Sequence, residues 1–144
     1  MKIFTIGFTK KSAEQFFTRL KNAGVKKLVD IRLNNISQLA GFTKRDDLKY
    51  FTRVICDIEY IHLPLLAPSQ DVLDEYKKKG QNWALYERNF LDLMSQRRIE
   101  EIISRETMDA GCLLCSEEKP DRCHRRLVAE YLKSRWADIE IQHL

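Results

Sequence analysis

Hydrophobic positions in this chain fall into two kinds of block, short dense runs and longer stretches with a period near 3.6. Residues 2–7, KIFTIG, are a dense run that reads as a buried strand, after which Gly7-Phe8-Thr9 turns toward a helix. Ser12 and Gln15 have capping-box spacing, the stripe Phe16, Phe17 and Leu20 follows, and Gly24 ends the helix. A second strand is expected over 27–32, KLVDIR, with Leu28, Asp30 and Arg32 on one face and Val29 and Ile31 on the other. Residues 33–42 lack a period and read as a loop in which Gly41 lets the chain turn. A helix begins after Thr43, with Leu48, Phe51, Val54 and Ile55 on one side.

Residues 59–65, EYIHLPL, read as a third strand that Pro64 terminates. A short helix over 71–79 closes at Gly80. Trp83, Tyr86, Phe90, Leu93 and Met94 recur at helical spacing, and the pattern runs on through Ile99, Ile102 and Ile103. The compact run 111–114 is a central strand ending in Cys115 and Ser116. A charged loop follows, then a helix over 121–136 that buries Leu127, Val128, Tyr131 and Leu132, and a last alternating strand over 138–142. Strands separated by helices predict an α/β fold, because each parallel return needs a crossover. The expectation is a single compact domain over residues 1–144, a mostly parallel sheet of about five strands with helices on both faces.

In an open parallel sheet, ligands bind outside the carboxyl ends of the strands. Those ends carry residues 7–9, Asp30 and Arg32, His62 and Pro64, and residues 115–117. The helix expected from Asp121 adds Cys123, His124 and Arg125 in its first turn, where unpaired N–H groups and the helix dipole favour negative charge. Cys115 is the candidate nucleophile, since a thiolate facing a helix N-terminus and arginines has a depressed pKa; the alternative is a small hydrophobe ending a strand. Cys123 has a similar electrostatic case, and the two cysteines could form a reversible disulfide. His124 is a candidate acid/base or anion contact, and Glu117 a base or a grip on a sugar hydroxyl. Arg125 suits bidentate binding of phosphate or carboxylate. Asp30 and Arg32 either position a substrate and orient His124 or form a structural ion pair, and Ser116 and His62 complete the ligand-binding set.

A zinc site of Cys112, Cys115, Cys123 and His124 is disfavoured, because strand residues three apart point to opposite faces. Cys112 is then core, Cys56 structural, and no metal or other cofactor is expected. Trp83 and Tyr86 read as core; base stacking would require them to be exposed. No glycine-rich phosphate loop of Walker or dinucleotide type appears.

Composition changes this picture little. With 44% hydrophobic and 32% charged residues the chain is neither disordered nor fibrous. A formal charge of +4 mildly favours phosphate-bearing or nucleic-acid partners. Four cysteines beside a normal apolar core suggest free thiols rather than a secreted disulfide framework. No signal-like or membrane-spanning run is present, so the expected location is the cytoplasm and no membrane partner is expected.

Five segments in order, TIGFT at 5–9, VDIR at 29–32, GF at 41–42, YIHLPLL at 60–66 and LLCSEEKPDRCHR at 113–125, resemble the motifs of domain-of-unknown-function family 488. Cys-Ser-Glu followed by Cys-His-Arg is the most specific part. The resemblance implies a compact α/β domain and supplies no reaction. This chain departs from the family pattern at Thr9 and Lys10, at 33–37, and at Ala67, where a glycine is expected.

The residues therefore support a strand-end pocket for an anionic, phosphate-containing ligand such as a nucleotide or nucleic acid, with cysteine-dependent transfer or hydrolysis as the reaction class if the chain is an enzyme. A noncatalytic nucleic-acid-binding module and a thiol redox or metal switch are the alternatives.

Overall fold

Local sequence signals place the first crossover. In the computed structural model, which describes residues 1–36 and 41–144, Ser12 and Gln15 cap each other reciprocally at 3.0 and 3.1 Å. Gly24 closes the same helix in the left-handed region at φ 78°, where glycine has no Cβ to clash. The strands are β1 (Lys2–Gly7), β2 (Lys27–Asp30), β3 (Glu59–His62), β4 (Gly111–Cys115) and β5 (Glu140–His143). The helices are α1 (Ala13–Ala23), α2 (Arg45–Cys56), α3 (Gln70–Lys78), α4 (Trp83–Arg97), the short α5 (Ile99–Ile102) and α6 (Arg105–Met108), and α7 (His124–Arg135).

The five strands are ordered β3-β2-β4-β1-β5, and every neighbouring pair is parallel. Alternation along the strands divides the core. Phe4, Ile6, Leu28, Cys112 and Leu114 face Phe16, Phe17 and Leu20 of α1 and Leu48 of α2. Ile3, Val29, Ile31 and Leu113 face Tyr86, Phe90 and Met94 of α4 and Leu127, Val128 and Leu132 of α7. The result is an α/β sheet covered on both faces, as parallel sheets require.

Several boundaries differ from the sequence reading, each for a local reason. β2 ends at Asp30 because Arg32 folds back, donating its N–H and guanidinium to the Asp30 carboxylate. β3 ends at His62, and Pro64–Leu66 is a short 3-10 turn, where the ring's fixed φ and missing N–H are tolerated. On α2 the buried residues are Leu48 and Thr52, whereas Val54 and Ile55 are exposed. Thr52 can be buried because its hydroxyl donates to the Leu48 carbonyl at 2.6 Å. The long helix expected through Ile103 breaks at Arg98, whose left-handed φ of 53° caps α4. The last helix starts at His124, not Asp121; a turn closed by Cys123 N–H on the Pro120 carbonyl (3.2 Å) makes Cys123 its N-cap. The last strand is displaced to Glu140–His143, after Asp138 turns at φ 67°. The expected loop over 33–42 falls partly at 37–40, outside the described residues; beyond it, Gly41–Thr43 is a 3-10 turn. Among the described residues, no helix is long and apolar enough to cross a membrane.

Candidate functional site

Gly7 and Cys115 are register partners at the carboxyl ends of β1 and β4. The helix after β4 lies on the opposite face from those after β1 and β2, so the loops diverge and leave a crevice there. The loop after Cys115 closes over the end of β1. A Cβ at Gly7 would lie 1.6 Å from the Glu117 carbonyl oxygen, so only glycine lets the loop pass. Thr9 ties the loop down, with both its N–H (3.1 Å) and its hydroxyl (2.6 Å) donating to the Ser116 carbonyl. Arg125, 1% exposed, clamps the next two residues, donating to the Glu117 carbonyl at 2.6 Å and the Glu118 carbonyl at 3.2 Å.

This clamped loop shapes the surroundings of Cys115. The ligating atoms of Cys115, Cys123 and His124 all lie within 4.8 Å of one another. His124 Nε2 is 2.7 Å from the Ile31 carbonyl, which can only accept, so Nε2 carries a proton and Nδ1 is the atom that exchanges one. That Nδ1 lies 3.4 Å from the Cys115 sulfur. The Cys115 thiol is held below its ordinary pKa by the hydrogen bond from Cys123, by the backbone N–H groups of Ser116 and Glu117 and by the charge of Arg125, which together outweigh its burial. Cys123 is pushed up, because it donates to Cys115 and is itself buried. The backbone donors converge on Cys115, which makes it the sulfur that ionises first. The same three side chains are the group, among the described residues, that could hold a metal ion; Cys112 lies on the other face, fully buried, its thiol pushed up by burial.

A cavity of about 270 Å³ opens on this centre. Cys115, Cys123 and His124 line it together with Ser116 and Glu117. Tyr76 of α3 and Trp83 and Tyr86 of α4 form an aromatic wall, and Arg32 and Arg122 also line the space. Arg122 is exposed, whereas Arg32 is 4% exposed and its Nη1 is buried with no hydrogen-bond partner among the described residues.

The profile of the family described as Domain of unknown function DUF488 matches residues 12–132. The chain belongs to this family. No curated protein and no solved structure matches it.

In this DUF488 domain the structure brings together Cys115, Ser116, Glu117, Cys123, His124 and Arg32 around one cavity. Asp30, His62 and Arg125 are not among the lining residues. Asp30 is fully buried and engages Arg32, Asn35 and Tyr60; the side chain that orients His124 is therefore not Asp30, and the Ile31 carbonyl does so instead. His62 bonds the Arg32 carbonyl through Nε2 at 2.9 Å, and Arg125 faces loop carbonyls rather than the cavity. Tyr76, Trp83, Tyr86 and Arg122 were not expected at the site. The available signal was position: the aromatic residues follow the carboxyl end of β3, so their helices start beside the rim, yet their 3.6 spacing reads equally as core.

Proposed function

We propose that this DUF488 domain is a cysteine-dependent transferase or hydrolase acting on an anionic, phosphate-containing ligand, with Cys115 as the nucleophile. The observation that carries the reading is the meeting of the Cys115 sulfur with His124 Nδ1 at 3.4 Å, and with the Cys123 sulfur within 4.8 Å, at a cavity wall. His124 Nδ1 takes the Cys115 proton. The sulfur then forms a bond to the ligand's electrophilic atom as the bond to the leaving group breaks, and His124 returns the proton to that group. In the second half, water or another acceptor loses its proton to His124, attacks the same atom and releases the thiolate. Arg122, exposed on the cavity lining, supplies positive charge for the ligand's anionic part, while the charge of Arg32 on the same lining is paired with Asp30; Glu117, exposed at the cavity edge, is available to a ligand hydroxyl.

The test is alkylation of the native protein by iodoacetamide across pH, with each cysteine read by peptide mass. Cys115 is expected to label with a midpoint below the roughly 8.5 of a free thiol, faster at pH 7 than Cys56, whose thiol burial pushes up, and to be protected by phosphate monoesters. Cys115→Ser should remove this labelling while leaving the thermal unfolding transition in place. A Cys115 that labels no faster than Cys56 at neutral pH rejects the nucleophile.

A further inference from the structure

Resting on that reading, we infer that the ligand carries a planar ring of nucleobase size, stacked against Trp83 and its neighbouring rings, so that the substrate class is a nucleoside monophosphate or a single terminal nucleotide. The aromatic wall is ordered toward the thiol centre. Trp83 and Tyr86 stack with centroids 5.1 Å apart and planes at 29°, and Tyr76 packs on Tyr86 at 4.8 Å. The column continues through Phe90, 6.0 Å from Tyr86, to the His124 ring, 5.6 Å from Phe90. Phe90 is fully buried, whereas Trp83 and Tyr76 are only partly covered: both pack against the core and also line the cavity. An apolar ring surface beside cationic groups suits a ligand that is flat at one end and anionic at the other.

Arg32 and Arg122 bring guanidinium groups to the same lining. The Nε and Nη2 edge of Arg32 is filled by Asp30, its guanidinium lies 5.5 Å from the centre of the Phe8 ring, and Nη1 is buried without a hydrogen-bond partner among the described residues. Because Nη1 is covered, the exposed Arg122 is the lining cation open to a phosphate in the cavity. The cavity's size sets the other limit. At about 270 Å³ it lies just below the roughly 300–1,000 Å³ of typical small-ligand sites, a scale that suits one small ligand better than a run of stacked bases.

Trp136→Phe leaves Trp83 as the single tryptophan of the chain, and its fluorescence is titrated with AMP, GMP, CMP and UMP, with ribose 5-phosphate and inorganic phosphate as ringless probes. At least one nucleoside monophosphate is expected to quench Trp83 and slow Cys115 alkylation, binding at least roughly tenfold tighter than ribose 5-phosphate, the scale of one base stacked on an aromatic ring. Trp83→Leu should lose that preference and Trp83→Phe keep most of it. If Trp83→Leu does not fold, the comparison of probes on the intact ring decides alone. Equal affinity for ribose 5-phosphate and every nucleotide overturns the ring while leaving the phosphate-binding thiol enzyme standing, as does protection of Cys115 by inorganic phosphate alone. Nucleotide binding beside an unreactive Cys115 supports the ring and rejects the nucleophile. Absence of binding by all probes overturns the inference.

Discussion

Two arginines are buried at the same rim, Arg32 at 4% and Arg125 at 1% exposure, and they are held in different ways. Arg32 meets a carboxylate two residues away: Nε and Nη2 each lie 2.8 Å from an Asp30 oxygen, and Nη2 also reaches the Thr43 carbonyl. Arg125 meets backbone carbonyls of Glu117 and Glu118 and the sulfur of Cys123 at 3.4 Å. The carbonyls engage its two Nη groups without cancelling its charge, and its buried Nε has no hydrogen-bond partner among the described residues. The positive field that Asp30 neutralises at Arg32 therefore acts, at Arg125, on the pair of thiols beside it. One arginine organises the end of a strand, and the other favours ionisation at the cavity wall.

The strongest way to break this comparison is to remove the neutralising partner. Burial alone would raise the Asp30 pKa, but the hydrogen bonds and charge of Arg32, with the Tyr60 hydroxyl, hold it below the usual carboxylate value. Asp30→Asn would leave the Arg32 charge buried and uncompensated, at an expected cost of about 3–5 kcal/mol. The pH dependence has a definite sign. Because the native pKa is lowered, the contribution of Asp30 is complete above the unfolded value near 3.9 and is lost as pH falls through the native value. Thermal unfolding between pH 7 and 3 should show the variant much less stable at pH 7 and the gap to the parent narrowing in acid. A variant as stable as the parent at neutral pH would show that the pair contributes nothing net.

Arg125→Met is expected to cost less, about 3 kcal/mol, since it leaves two loop carbonyls without donors but no charge unpaired. Its informative effect is on the thiol. With the guanidinium gone, the alkylation midpoint of Cys115 should move upward, while the Asp30 to Arg32 pair and its acid sensitivity stay unchanged. An unmoved midpoint would assign the lowered Cys115 pKa to Cys123 and the amides alone.

How much of this was legible in the sequence follows from the range of each signal. The capping box at Ser12, the glycine stop at Gly24 and the dense run of β4 are local, and each appears where the pattern put it. The opposite facing of Cys112 and Cys115 follows from strand alternation alone. Convergence of Cys115, Cys123 and His124 also followed from sequence, because a strand, a short loop and a helix bring them together. Pairings that depend on side-chain reach across strands were not legible. Asp30 and Arg32 were correctly placed on one face, but nothing in KLVDIR shows that Tyr60 and Asn35 complete their network and withdraw Asp30 from the cavity. Arg125 suggests a ligand contact because its planar fork suits phosphate or carboxylate, yet the loop carbonyls of Glu117 and Glu118 take that fork. The aromatic wall escaped because helical spacing does not distinguish a ring facing the core from one facing a cavity.

The loop that Arg125 grips also depends on the residue beneath it, and Gly7→Ala is the mildest test of the two arginines' separate roles. The new methyl would lie 1.6 Å from the Glu117 oxygen and 2.9 Å from Arg125 Nη1, so backbone must move rather than a flexible side-chain tip. Overpacking of this kind costs about 1–3 kcal/mol. Lifting the loop turns the Ser116 and Glu117 amides from the Cys115 sulfur and lengthens the Arg125 contact, so the Cys115 alkylation midpoint should rise. Arg32 is held by Asp30 and the Thr43 carbonyl rather than by that loop, its link to the Gly7 turn being the Phe8 ring beneath its guanidinium, so the acid limb of stability set by Asp30 should be preserved. Measuring both on one protein separates the arginines: a raised thiol midpoint with an unaltered acid limb fits independent roles, and a shift in both would mean that the rim moves as one unit.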